Sequence, residues 1–271
     1  MSTEISSRFA TVARALPPPS ATLTLSAAFA GQLSSLYGLV QRSRFVFASP
    51  LGPFYTKAHP HHLPRFVYFG PHTSEESLRL AFYTGFAKRD LRGTLALLRF
   101  VERLALSPDI GQGLHLSFFP LIDVLGLGED RALATAHWAH TAEPELDLLN
   151  KDARLRAYHG FVRLESASFD DHVTVRLRGA TEVIGAISPG VELITSDEID
   201  PLPVAWESEP PTARTGDGPL SIADDLPVQP FELTLRIPAA WNAELHREAV
   251  ASILKRFVLR YRGLQAYAQH L

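Results

Sequence analysis

The sequence predicts an α/β protein, a three-layer sandwich with a mixed central sheet and helices on both faces. The first observation behind this prediction is that segments with the apolar pattern of strands alternate with segments of helical periodicity. The second is size and composition, because 271 residues, 46% of them hydrophobic, are enough to bury one sizeable core.

The first half of this alternation begins at residue 78. Residues 78–86 have the β-rich apolar character of a buried strand, and a polar loop follows at residues 87–93. Residues 94–106 carry apolar side chains at helical spacing, which predicts a helix. Residues 114–122 are predicted to form the next strand, which ends at Asp123.

The second half continues the same pattern. Residues 143–158 indicate a helix, and residues 161–164 a short strand that ends at Glu165. Residues 231–237 alternate strictly between apolar and polar side chains, which is typical of a strand with one buried face. Apolar residues then recur every fourth position through residues 240–261, which predicts a last helix.

The remaining segments show weaker periodicity of apolar residues. Residues 5–15 suit a short amphipathic helix that three prolines end, and residues 45–71 are expected to be mostly loop, with a short strand at residues 65–70. Seven prolines predict a long surface loop at residues 200–230. We expect residues 1–64 to form an N-terminal extension packed on a domain of residues 65–271, as one globular unit.

Composition excludes several function classes. The chain has 26 basic against 29 acidic residues, a net charge of -3, which predicts no nucleic-acid partner. It has no cysteine, which excludes disulfides, thiolate metal sites and a cysteine nucleophile. No apolar run approaches the roughly 20 residues of a membrane helix, and the N-terminus is a poor secretory signal. We therefore expect a cytoplasmic protein without a membrane partner.

Ligands of α/β sheets bind beyond the C-terminal ends of the strands. The side chains that follow the predicted strands are those of residues 87–90, Asp123, Glu165 and Arg236. These are the candidate site residues.

The order of strands and turns from about residue 65 to residue 264 resembles the zinc carboxypeptidase family (the M14 peptidases), whose fold is also described as phosphorylase/hydrolase-like. Gly85, Gly93 and the helix segment ALLRF fix the register of this resemblance. In the family, a strand delivers a His-x-x-Glu pair that supplies two zinc ligands. The resemblance places these two positions at Ala87 and Asp90.

The resemblance implies three further site positions. The segment FVRLES is similar to a family strand that ends in Leu-His-Ser, which places the third zinc ligand at Glu165. The segment FELTLRIP is similar to the strand that carries the catalytic general base, which becomes Arg236. The Asn and Arg that hold a substrate carboxylate become Ala134 and Thr135.

These replacements predict that neither metal nor catalysis is retained. Alanine at 87 has no lone pair, and two carboxylates, Asp90 and Glu165, suit harder cations than zinc. Arg236 cannot accept a proton at neutral pH. We expect Arg236 to pair with Glu165, Asp90 or both, so that an ion pair takes the place of the zinc.

The predicted function is that of a non-catalytic relative, a pseudoenzyme that binds an unidentified small molecule, peptide or protein partner and needs no cofactor. Two alternatives stay open. One is an active zinc metallocarboxypeptidase or amidase-type deacylase that hydrolyses a peptide or amide bond with unusual metal ligands. The other is a structural or interaction protein whose crevice is filled.

Histidine clusters offer weaker metal sites. His72 and Glu75 form a His-x-x-Glu, but they precede the strand that such a motif should follow, which makes them a low-ranking alternative zinc site. The run at residues 59–62 contains three histidines in what is expected to be an irregular loop. His137 and His140 lack a clear third ligand.

Overall fold

The structure is a computed structural model that describes residues 24–56, 59–74, 77–87, 91–127, 143–167, 172–179, 204–209 and 230–268. The helices in these ranges are α1 (Thr24–Val40), α2 (Leu91–Leu106), α3 (Pro144–Arg156) and α4 (Ala243–Ala268). The strands are β1 (Val46–Ala48), β2 (Leu51–Thr56), β3 (His59–Leu63), β4 (Phe66–Phe69), β5 (Arg79–Tyr83), β6 (His115–Phe119), β7 (Gly160–Ala167), β8 (Val173–Arg178), β9 (Val204–Glu209) and β10 (Phe231–Pro238).

Eight of these strands form one mixed sheet in the order β1-β4-β6-β5-β7-β10-β8-β9. The four central strands β6, β5, β7 and β10 are parallel to one another, while β4 and β8 run antiparallel to their central neighbours. The remaining strands β2 and β3 form a separate antiparallel hairpin. The C-terminal ends of all four parallel strands therefore lie at the same edge of the sheet.

Helices cover both faces of the sheet, as predicted. Along β5, Leu80 and Phe82 face the larger apolar core, to which α1, α2 and α4 contribute buried side chains. The alternate residues Ala81 and Tyr83 face the smaller core, which contains Leu146 of α3 and residues of the β2–β3 hairpin. This confirms the α/β sandwich with a mixed central sheet. No helix in the described ranges is both long and apolar enough to cross a membrane.

Several local predictions were wrong. Residues 45–71 hold four short strands, although Pro53 and Pro60 in β2 and β3 suggested a loop; the two prolines lie in a two-stranded hairpin outside the large sheet, where proline is tolerated. Residues 204–209 pair with β8 as an edge strand inside the predicted proline-rich loop. Helix α1 and strand β8 were not predicted. Residues 5–15 lie outside the described residues.

A buried ion pair ties the start of β4 to α3. Arg65 and Asp152 are each 5% exposed, and the Arg65 guanidinium donates to the Asp152 carboxylate. Arg65 also donates to Ser49, from Nη2 to the hydroxyl at 2.6 Å and from Nε to the carbonyl oxygen at 2.7 Å. Tyr158 donates its hydroxyl to Asp152 at 2.7 Å. The network holds α3 against the face of the sheet that carries the smaller core.

We predict that Asp152→Asn lowers the free energy of unfolding by about 3 kcal/mol, because it leaves the buried Arg65 guanidinium without its counter-ion. Urea denaturation measures the change. The matched control is Asp147→Asn on the same helix, whose partner Lys151 is exposed and whose loss should cost less than about 0.5 kcal/mol. Equal changes in the two variants would contradict the prediction.

Candidate functional site

The candidate site lies at the C-terminal edge of the parallel strands. From β5 the chain crosses through α2 to β6 on one side and later enters β7 on the other side of β5. Such a reversal of strand order opens a crevice at the strand ends, where α/β proteins bind ligands. The side chains at the ends of β5 and β7 are therefore the candidate site.

Strand register brings two of the predicted residues together. In the parallel pairing of β7 with β10, Glu165 and Arg236 are direct partners. Arg236 Nε lies 3.6 Å from Glu165 Oε2. Arg163, two residues earlier on the same face of β7, contacts the other carboxylate oxygen, with 2.7 Å between its Nε and Oε1. Glu165 is thus held between two guanidinium groups.

The three side chains differ in exposure. Arg163 is 15% exposed, Glu165 28% and Arg236 44%. The Arg163 guanidinium carbon also lies 4.7 Å from the centre of the Phe86 ring, a cation–π distance. Arg163 is therefore the fixed member of this cluster, whereas Arg236 faces solvent. We call Arg163, Glu165 and Arg236 the strand-end cluster; its net charge is +1.

A glycine turn positions the residues after β5. Gly85 has a φ of +77°, and a Cβ at this position would lie 2.8 Å from Leu121 Cα. Its carbonyl oxygen accepts hydrogen bonds from the backbone N–H groups of Ile122 and Asp123, at 3.1 and 2.8 Å. The turn joins the ends of β5 and β6 and leads directly to Ala87, which is buried with 8% of its surface exposed.

Asp123, the candidate after β6, has a structural role. It is 2% exposed, and its Oδ1 accepts a hydrogen bond from the Gly126 backbone N–H at 2.8 Å. A Cβ on Gly126 would lie 1.9 Å from Asp123 Oδ2, so this close approach requires glycine. Through Oδ1 the carboxylate thus holds the backbone at the short 3₁₀ turn Leu125–Leu127.

The tyrosine beside the cluster does not supply a base. Tyr83 is the direct partner of Arg163 across the β5–β7 pair, and its ring stacks on Phe119 with 5.0 Å between centroids. Burial is the main reason that its pKa is raised well above the usual value, with smaller contributions from Tyr158, Asp152 and Glu232. Its hydroxyl therefore stays protonated at neutral pH.

Other predicted site residues are not brought to this edge. His72 is exposed, has a φ of 60° and lies beyond β4, at the opposite edge of the sheet. The histidines at 59–62 belong to strand β3 rather than to an irregular loop. Asp90, Thr135, Ala134 and Glu75 lie outside the described residues, as do His137 and His140. Within the described ranges, no group of three His, Asp or Glu side chains could hold a metal ion.

Sequence analysis missed Arg163. The sequence does contain a signal for this residue. Arg163 and Glu165 are separated by one residue, and alternate residues of a strand share a face, so Arg163 was predictable as a neighbour of Glu165. The predicted strand covered only residues 161–164, with Glu165 at its end. In the structure β7 continues to Ala167, and this extension aligns both side chains with Arg236.

Comparisons with known proteins identify solved structures that have a similar fold. No family model and no curated protein matches the sequence. Among solved structures, a metallo-carboxypeptidase from Pseudomonas aeruginosa, in complex with (2-guanidinoethylmercapto)succinic acid, superposes with a TM-score of 0.66 at 11% identity; the match covers 86% of this chain and 68% of that one. A metallo-carboxypeptidase from Burkholderia cenocepacia gives a TM-score of 0.65 at 15% identity, over 85% and 68%.

A mammalian structure matches over nearly its whole length. Bovine thrombin-activatable fibrinolysis inhibitor, in complex with tick carboxypeptidase inhibitor, gives a TM-score of 0.61 at 12% identity, over 88% of this chain and 97% of that chain. At these identities the likeness is one of fold. The chain has the metallocarboxypeptidase fold, which confirms the resemblance noted in the sequence at the level of architecture.

We predict that Glu165 is coupled more strongly to Arg163 than to Arg236. Double-mutant cycles with Glu165→Gln, Arg163→Gln and Arg236→Gln should give about 1 kcal/mol for the first pair and less than about 0.5 kcal/mol for the second. The reason is that Arg163 is nearer and less exposed. Urea denaturation of the single and double variants measures both energies, and a larger value for Arg236 would contradict the described geometry.

Proposed function

We propose that this chain is a non-catalytic protein with the metallocarboxypeptidase fold, whose strand-end crevice binds a small molecule, peptide or protein partner without hydrolysing it. The observation that supports this proposal is the strand-end cluster. Glu165, which the family resemblance aligns with a zinc ligand, lies between Arg163 and Arg236.

The described residues do not fit a zinc ion at this position. A zinc site needs lone pairs from about three side chains, normally imidazole or carboxylate. Each oxygen of Glu165 already faces a guanidinium nitrogen, at 2.7 and 3.6 Å. Ala87 offers only a methyl group. A divalent cation beside Glu165 would also be repelled by two permanent positive charges.

The same cluster lacks the group that would activate water. Arg236 stands where the resemblance places the general base, and a guanidinium stays protonated throughout the physiological pH range. Peptide hydrolysis needs a group that removes a proton from the attacking water. The correlated replacement of ligand and base supports loss of catalysis rather than exchange of one metal for another.

The charge of the cluster favours an anionic ligand group. Arg163 and Arg236 share one carboxylate, and the contact of Arg236 uses only its Nε, at 3.6 Å, which leaves the Nη donors of Arg236 for a ligand. Arg236 is the more exposed of the two and is the member best able to meet a ligand from solvent. We therefore expect the crevice ligand to carry a carboxylate or a similar anion.

Reversing the replacements tests the proposal. We predict that the variant with Ala87→His, Asp90→Glu, Glu165→His and Arg236→Glu binds one zinc per chain, while the wild-type protein binds none. Metal content by mass spectrometry after zinc loading and dialysis measures both. A matched triple variant that keeps Arg236 should bind zinc about tenfold or more weakly, because the guanidinium repels the cation.

Two outcomes would count against this account. A quadruple variant with a native circular dichroism spectrum and no bound zinc would show that the four positions were assigned wrongly. One tightly held zinc per wild-type chain would overturn the proposed function itself.

A further inference from the structure

The β2–β3 hairpin carries three histidines that take no part in the strand-end cluster. His59, His61 and His62 all belong to β3, where sequence analysis expected an irregular loop. In the antiparallel pairing with β2, Phe54 lies directly opposite His61. Successive side chains of a strand point to opposite faces. His59 and His61 therefore share one face of the hairpin, and His62 belongs to the other.

The spacing of His59 and His61 suits two ligands of one ion. Alternate residues of a strand lie about 6.5 Å apart along the backbone, a separation that two imidazole rings can close from the same face. His59 is exposed and His61 is partly exposed, so both can be reached from solvent. Burial first, and then the charge of His59, lower the pKa of His61. The two rings therefore lie within electrostatic reach of each other.

The core holds the inner member of this pair in place. Phe54 is 7% exposed and belongs to the smaller core. The His61 ring lies against it, with 5.4 Å between the two centroids. Leu63, which is fully buried, anchors the end of the same strand. A ligand fixed on an anchored strand loses less conformational freedom when it binds an ion than one on a loop does.

We propose that His59 and His61 form a bidentate site for a divalent late transition-metal ion, with Cu²⁺ bound most tightly. Imidazole is a ligand of copper, nickel and zinc, and Cu²⁺ stands highest in the general order of affinity. Within the described ranges, no third histidine or carboxylate joins the pair. Zinc sites normally use three or four protein ligands, whereas Cu²⁺ accepts a tetragonal arrangement in which water fills the remaining positions. Two imidazoles therefore favour copper over zinc.

Isothermal titration of the full chain with Cu²⁺ tests the proposal. The chain has 11 histidines, so glycine is added as a competing ligand that suppresses binding to single imidazoles. We expect one Cu²⁺ per chain under these conditions. His59→Ala and His61→Phe should each weaken binding at least about tenfold, because each leaves one imidazole where two act together. His61→Phe keeps an aromatic ring against Phe54.

The matched control is His62→Ala. It removes a histidine from the same run but from the opposite face of the strand, and it should change the affinity by less than about twofold. A loss in His62→Ala as large as that in His59→Ala would show that histidine content, rather than the shared face, determines binding. That result would overturn the proposal.

Pulsed electron paramagnetic resonance of the bound Cu²⁺ provides a second readout, because it counts the imidazoles that coordinate the ion. We expect two in the wild-type protein and one in His59→Ala. His59 is exposed, so its variant should fold even if His61→Phe does not. No binding of Cu²⁺ in the presence of glycine, or a spectrum that His59→Ala leaves unchanged, would contradict the proposed site.

This test is separate from that of the proposed function. Zinc lies below copper in the order of affinity, and we expect a site with two protein ligands to release it during dialysis. If the wild-type protein nevertheless retains zinc, the double variant His59→Ala with His61→Phe locates the ion. Loss of zinc would assign it to the hairpin and support the present proposal, whereas retention would count against the proposed function. Failure of Cu²⁺ to bind would leave the proposed function standing, because that function concerns the strand-end cluster.

Discussion

The parallel pairing of β7 with β10 is the constraint on which the candidate site depends. It places Glu165 directly opposite Arg236, and the alternation of side chains along β7 adds Arg163 on the same face. A shift of β10 by one residue in this register would turn Arg236 toward the apolar core and away from Glu165. The register is itself fixed by the core, because Leu233, Leu235 and Val162 are buried against the helices on the other face. The packing of apolar side chains on one face of the sheet therefore fixes the positions of the charged side chains on the other face.

Because of this division, side chains at the strand ends can change without loss of the fold. The larger core contains buried apolar side chains from three helices and from most strands of the sheet. The strand-end ion pairs are partly exposed, and such pairs each stabilise a protein by about 1 kcal/mol or less. A change of side chains at this edge costs the fold little, provided that a carboxylate there keeps a cation beside it. Arg163 and Arg236 meet that condition.

Much of the framework was predictable from the sequence, and the reasons for the misses are physical. Strand β10 was predicted to within one residue because its side chains alternate strictly. β7 was predicted too short, since Glu165 interrupts the apolar run by which a buried strand is recognised. Arg44 and His115 line one pocket although they are distant in sequence, and this could not be foreseen because it depends on the pairing of β1 with β4 and of β4 with β6. The pattern of residues within one strand does not reveal which other strand it pairs with.

The most direct test of the central claim is an assay of C-terminal amino-acid release from short peptides by the wild-type protein supplied with zinc. A chelator-treated sample of the same protein serves as the control. If the strand-end cluster has replaced metal and general base, release will be the same in both samples and indistinguishable from background. Release that depends on zinc and disappears with the chelator would contradict the account, since it would require a working metal site and a proton acceptor that Glu165 and Arg236, as paired in this structure, do not provide.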